Sequence, residues 1–208
     1  MVNETRAEFY EIYVWEWPVR LFHWVNALCV IVLAITGFLI GNPLGIISAG
    51  EAHSQYWFGN IRFFHFAFAY IWVFNSIVRL YWGFVGNEYV KYSSIVPFKK
   101  QQWREILNVV RMDVLQLREH AYHTIGHNAL AGLTYTIGFL AFLFQTITGF
   151  GLYAAMSNNW IANAFAWVVP LMGGDHIVRL WHHVFLWFFV IIFVPIHLYI
   201  AAYHDYVG

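Results

Sequence analysis

Charge is what this sequence has least of. Only 11% of its 208 residues are Asp, Glu, Lys or Arg, against about 25% in a soluble domain. With 61% hydrophobic and 21% aromatic residues, the chain lacks the polar surface that a domain in water needs, which places it in the membrane class. The few charges cancel, eleven basic against eleven acidic, so there is no basic field for a nucleic acid to bind. Cysteine is nearly absent too. Cys29 stands alone, which excludes an intrachain disulfide, a cysteine-ligated iron–sulfur cluster and a CxxCH covalent haem attachment. The opening residues, MVNETRAEFYEIYVWEWP, show no basic stretch followed by an apolar core. No cleavable signal peptide is expected, and the first membrane helix serves as its own targeting signal.

What is present is long apolar runs. Four segments approach or exceed the roughly 20 residues needed to cross a bilayer: about 21–40, 62–84, 127–152 and 179–203. Lipid offers the backbone no hydrogen-bond partners, so such spans are helices. The expected fold is therefore all-α, a single integral-membrane domain over residues 1–208 built as a four-transmembrane-helix bundle. Pro18 falls near the start of the first span, where proline is tolerated; Pro195 falls inside the fourth and predicts a kink. Nine of the eleven Lys and Arg residues lie in the N-terminal arm and the loop between the second and third spans, with the adjoining helix ends. The positive-inside rule then puts both termini and that loop in the cytoplasm. Within the loop, Trp103, Ile106, Leu107, Val110, Val114 and Leu117 recur at helical spacing among basic residues, which predicts a cytoplasmic amphipathic helix. On the other side, Trp160–Met172 is apolar but too short to span, and is expected at the interface or against a partner.

Intramembrane ionisable residues are costly and are functional candidates by default. The spans hold His23, His65, His127, His182, His183 and His197. Antiparallel topology pairs them by depth: His23 with His197 toward the cytoplasm, His65 with His182 or His183 toward the outer side. Two imidazoles facing each other across a helix bundle suit a six-coordinate b-type haem, whereas zinc would want a third or fourth ligand. His183 to His197 is fourteen residues, a span of roughly 21 Å at 1.5 Å per residue, and in a supercoiled bundle it returns to the same face. Spacing therefore favours His183. A second pattern favours His182, because Arg precedes His by three in RLFH, RFFH and RLWH: Arg20 before His23, Arg62 before His65, Arg179 before His182. Each arginine could pair with a haem propionate or serve as an interfacial anchor. A bulge at the Pro195 kink could absorb one residue and bring His182 into register with His197. The tetrapeptide ITGF occurs twice, placing Gly37 and Gly149 near the outer pair. There a glycine admits either a porphyrin edge or close helix packing.

These segments, YVWEWPVRLFHW, IRFFHFAFAY, GHNALA, TGFGLY and RLWHHVFLW with HLY, together resemble the cytochrome b subunit of membrane-bound nickel–iron hydrogenases. Cytochrome b subunits of formate dehydrogenase share the plan and are the nearest rival. The resemblance covers all four spans. It implies two haem b groups: a proximal one held by His65 and by His183, with His182 the alternate, and a distal one held by His23 and His197. Arg20, Arg62 and Arg179 would serve the propionates, and Gly37 and Gly149 the haem packing. It further implies a hydrogenase small subunit, with its large subunit, on the periplasmic side of a bacterial inner membrane. Quinone would be the electron acceptor near His127, Asn128, Tyr203 and His204. No hydrogen-activating site is expected on this chain. A higher oligomer of the complex is open. The contrasting class is a haem-free, histidine-lined transporter or membrane anchor.

Overall fold

The computed structural model of the chain describes residues 12–43, 56–111 and 129–199. Among these residues the fold is helical throughout, with no strand. Four helices are long and apolar enough to cross a membrane: α1 (Trp17–Gly41), α2 (Trp57–Val85), α5 (Ala129–Ala154) and the helix from Asp175 to Tyr199, whose first part is α8 (Asp175–Phe188). The four expected spans are all present. Three begin earlier than hydropathy alone predicts: interfacial tryptophans, Trp17 and Trp57, open α1 and α2, and the fourth starts at Asp175. Pro18 is the second residue of α1, where its missing N–H has no helical partner to lose.

The helix that begins with α8 is not regular. Phe189–Phe193 forms a π-helical segment, in which the N–H of Val194 donates to the carbonyl of Phe189, five residues back. Pro195 follows at once. A proline has no N–H for the carbonyl four residues before it, and its ring crowds that carbonyl. Widening the preceding turn relieves both problems, and π turns of this kind insert one extra residue into a helix. The expected disturbance at Pro195 thus takes the form of a bulge just ahead of it.

Contacts divide the chain into two units. In the first (1–24 and 76–135), Glu16 ties the N-terminal arm down. Its carboxylate accepts from Trp82 Nε1 and from the backbone N–H of Asn87, both at 2.9 Å. Asn87 Nδ2 donates to the carbonyls of Tyr13 and Val14. After α2 come a short helix α3 (Tyr92–Ile95) and α4 (Lys100–Val109). The N-terminus of α4 is capped as Lys99 N–H donates to Gln102 Oε1 at 2.8 Å. The predicted amphipathic stripe is only partly the packed face: Ile106 and Val109 are buried, whereas Trp103 and Leu107 are exposed. Val114 and Leu117 lie outside the described residues.

The second unit (25–75 and 136–208) is packed chiefly through aromatic rings. Phe142 meets Trp72 edge-on and stacks on Phe189, each with centroids 4.6 Å apart. Phe144 packs on Phe185 at 4.5 Å and Phe66 on Tyr153 at 4.4 Å. The apolar stretch too short to span folds as two single turns, α6 (Trp160–Asn163) and α7 (Val168–Leu171). Asn159 caps α6 by accepting from the N–H groups of Ile161 and Ala162, while its amide donates to Tyr70 Oη at 2.9 Å. Gly173 and Gly174, at φ 94° and 117°, make the turn into α8 in a backbone region that disfavours any side chain.

Candidate functional site

Helices α1, α2, α5 and α8 of the second unit enclose a cavity of about 320 Å³, within the range of roughly 300–1,000 Å³ usual for ligand sites. Its wall is mostly aliphatic and aromatic. The polar exceptions include His65, His182, His183, Arg62, Arg179 and Gln145.

His65 and His182 are held in the same way. Thr36 Oγ1 lies 2.9 Å from His65 Nδ1, and Thr148 Oγ1 lies 2.9 Å from His182 Nδ1. Each hydroxyl has a single proton, and that proton is already given to its own helix. Thr36 donates to the carbonyl of Val32 at 2.6 Å, and Thr148 to that of Phe144 at 2.9 Å. Both threonine oxygens therefore accept from the imidazoles, which fixes each proton on Nδ1 and leaves the lone pair on Nε2. Both threonines are buried, Thr148 completely, so neither bond is shared with solvent.

The glycine after each threonine makes the room. A Cβ on Gly37 would stand 3.2 Å from His65 Cε1, and one on Gly149 would stand 3.1 Å from His182 Cε1. The two ITGF segments are thus two copies of one device, with threonine orienting an imidazole and glycine admitting it. The free face of each glycine is taken by the opposing histidine ring. Sequence reasoning singled out the glycines and passed over Thr36 and Thr148. The signal was in the repeated tetrapeptide, which keeps both residues together.

His183 also reaches the cavity but is held differently. It lies against Gly41, where a Cβ would be 3.2 Å from its Cε1, and no threonine stands at its Nδ1 among the described residues. The geometry favours His182 over His183 as the partner of His65. The π segment supplies the matching register, since one inserted residue makes the fifteen-residue interval from His182 to His197 behave as fourteen does on a regular helix.

At the cavity's polar edge, Arg62 Nη2 reaches the sulfur of Met156 at 3.0 Å, a weak acceptor that leaves most of a guanidinium's donor capacity unspent. Arg179 is paired with Asp175, its Nε 2.6 Å from Oδ2. In the first unit Arg20 donates through Nε to the carbonyl of Trp15 and lies 5.4 Å from the Tyr13 ring. His23, also in the first unit, meets Trp24 edge-on; His197, in the second, stacks on Phe193 with rings 8° from parallel. Their pairing rests on the order of the spans in the sequence. His127, Asn128, Tyr203 and His204 lie outside the described residues.

The residues of the second unit fit a bis-histidine haem. Two imidazoles in one apolar cavity have their tautomers set by buried hydroxyls, which is how proteins orient metal-ligating histidines. Among the described residues, Gln145 Oε1 is buried with no hydrogen-bond partner, and the acceptor at Arg62 is a thioether. Among the described residues, no three His, Cys, Asp or Glu side chains converge as an ion site.

Comparison with known proteins agrees with this geometry. The family model described as prokaryotic cytochrome b561 matches residues 14–208. A probable Ni/Fe-hydrogenase B-type cytochrome subunit of Cupriavidus necator is 41% identical over 201 residues, covering 94% of this chain and 81% of the relative. Its namesake in Azotobacter chroococcum is 42% identical, covering 95% and 82%. The probable Ni/Fe-hydrogenase 1 B-type cytochrome subunit of Escherichia coli K12 is 37% identical, covering 93% and 83%. With one family model spanning nearly its whole length and relatives aligned over more than nine-tenths of it, the chain belongs to the prokaryotic cytochrome b561 family.

Proposed function

We propose that this chain is the membrane cytochrome b subunit of a nickel–iron hydrogenase and that it carries electrons from the hydrogenase through two haems to a membrane quinone. Haem b, when bound, supplies reversible one-electron carriage; the protein supplies its ligands, its orientation and its insulation from water. His65 and His182 hold the outer haem, with Thr36 and Thr148 keeping both Nε2 lone pairs available. The observation that carries this reading is the matched pair of threonine–histidine bonds at 2.9 Å. His183 becomes a neighbour of that haem rather than its ligand. His23 and His197 hold the inner haem, a pairing supported by their depth in antiparallel spans. Arg62, with only a thioether as acceptor among the described residues, is the arginine best placed to take a propionate. Arg179 is shared with Asp175.

The distribution of Lys and Arg supports both termini in the cytoplasm of a bacterial inner membrane. The outer haem then faces the periplasm, where the hydrogenase small subunit would dock with its large subunit. Gly37, Gly149 and the wall of the cavity exclude water from that end of the path. The proposed quinone contacts, His127, Asn128, Tyr203 and His204, rest on the sequence alone; they offer hydrogen-bond partners to a carbonyl and, in the histidines, a proton source near neutral pH.

Purification of the complex through a tag on this chain tests the assignment. A nickel–iron hydrogenase is expected to co-purify, and hydrogen is expected to reduce the b-type α-band. A molybdenum enzyme in its place, with reduction by formate and not by hydrogen, would contradict it.

A further inference from the structure

The first unit contains a buried cation that no carboxylate pairs with among the described residues. Arg79, on α2, is 2% exposed. Its Nη2 donates to the carbonyl of Val90 at 3.3 Å, and its guanidinium lies 5.1 Å from the centroid of the Tyr135 ring on α5. The Nε and Nη1 groups are buried and, among the described residues, have no hydrogen-bond partner. A guanidinium stays charged at any pH a protein meets. Enclosing one in a membrane span without a counter-charge is strongly unfavourable, so such residues mark functional sites. Glu16, the carboxylate that ties down the N-terminal arm, is already committed to Trp82 and Asn87.

Sequence intervals say what the two free donors serve. Fourteen residues separate His23 from Gly37 on α1, and the same fourteen separate His65 from Arg79 on α2 and Tyr135 from Gly149 on α5. His65, Gly37 and Gly149 are the outer haem set. Arg79 and Tyr135 thus stand one such interval from a residue of the outer set on their own helices, as His23 does on α1.

We infer that Arg79, backed by the ring of Tyr135, is the binding site for a propionate carboxylate of the inner haem. The inference rests on the two-haem reading above. Nε and Nη1 lie on different edges of the planar guanidinium, so each offers one charge-assisted bond to a carboxylate oxygen. The Tyr135 ring gives the cation a second favourable contact. The positive charge next to the haem favours its reduced form, so Arg79 also raises that haem's potential.

Potentiometric titration of the full-length, haem-loaded chain tests this. His23→Ala first identifies the inner haem as the component it removes; if it removes none, the two-haem reading itself fails. Arg79→Gln is then expected to move the redox equilibrium of that same component toward the oxidised form by about tenfold, which for one electron is about 59 mV downward. The other haem should be unchanged. Arg79→Lys keeps the charge, so it should restore most of the shift and retain both haems even if the glutamine variant does not. Unchanged potentials in both variants would overturn the inference. So would unchanged potentials with weakened binding of a short-chain quinone, which would make the oxygen a quinone carbonyl.

Discussion

The hydroxyl of Thr148 has one proton and gives it to the carbonyl of Phe144, so the only role left to it at His182 is that of acceptor. That single constraint selects the imidazole tautomer a metal ligand needs, and Thr36 imposes the same one on His65. Partners of this kind fix the ring orientation and raise the basicity of the ligating nitrogen. Thr148→Val removes the acceptor while keeping the shape. It should weaken outer haem binding by roughly 10- to 100-fold, and Thr148→Ser should recover most of the loss. Haem titration of the two variants checks this, and a valine variant equal to the wild type would show that the bond is incidental. The hydroxyl's effect was hidden in the sequence because threonine in an apolar helix usually does no more than bond its own backbone.

At the scale of elements, the helix running from Asp175 to Tyr199 carries a proposed haem ligand toward each end, and its π segment bears on their register. The sequence interval favours His183 only if the helix is regular. Pro195 is the reason it is not, and the bulge at Phe189–Phe193 restores the phase for His182. Deleting Ile191 should close the bulge and turn His182 and His197 away from a common face. The expected outcome is loss of one of the two haems by pyridine haemochrome assay, and retention of both would contradict the register argument. The spans themselves were legible, because hydropathy over twenty residues is insensitive to one inserted residue. The choice between two adjacent histidines was not, because it turns on that one residue. The proline carried the necessary signal, but a proline predicts a disturbance without saying whether it will be a kink or a bulge.

At the scale of the whole molecule, little of the chain is concerned with ordinary core formation. Many of its large apolar side chains, such as Phe74, Phe84, Trp24 and Ile191, are exposed, as suits helices that face lipid. Among the described residues the buried set is mainly apolar, but it includes Thr36, Thr148, Asn75 and Arg79. The histidine pairs were visible in the sequence as a topological pattern. Arg79 was visible only as one more positive charge at a span end, since its burial and the lack of a carboxylate beside it among the described residues are facts of packing. The central claim is that His65 and His182 form the outer haem site of a two-haem cytochrome. Its most direct test is the haem content of His182→Ala and His183→Ala, made separately in the full-length chain. The account predicts that the first variant drops from two haems per chain to one while the second keeps both. One haem in His183→Ala and two in His182→Ala would contradict it.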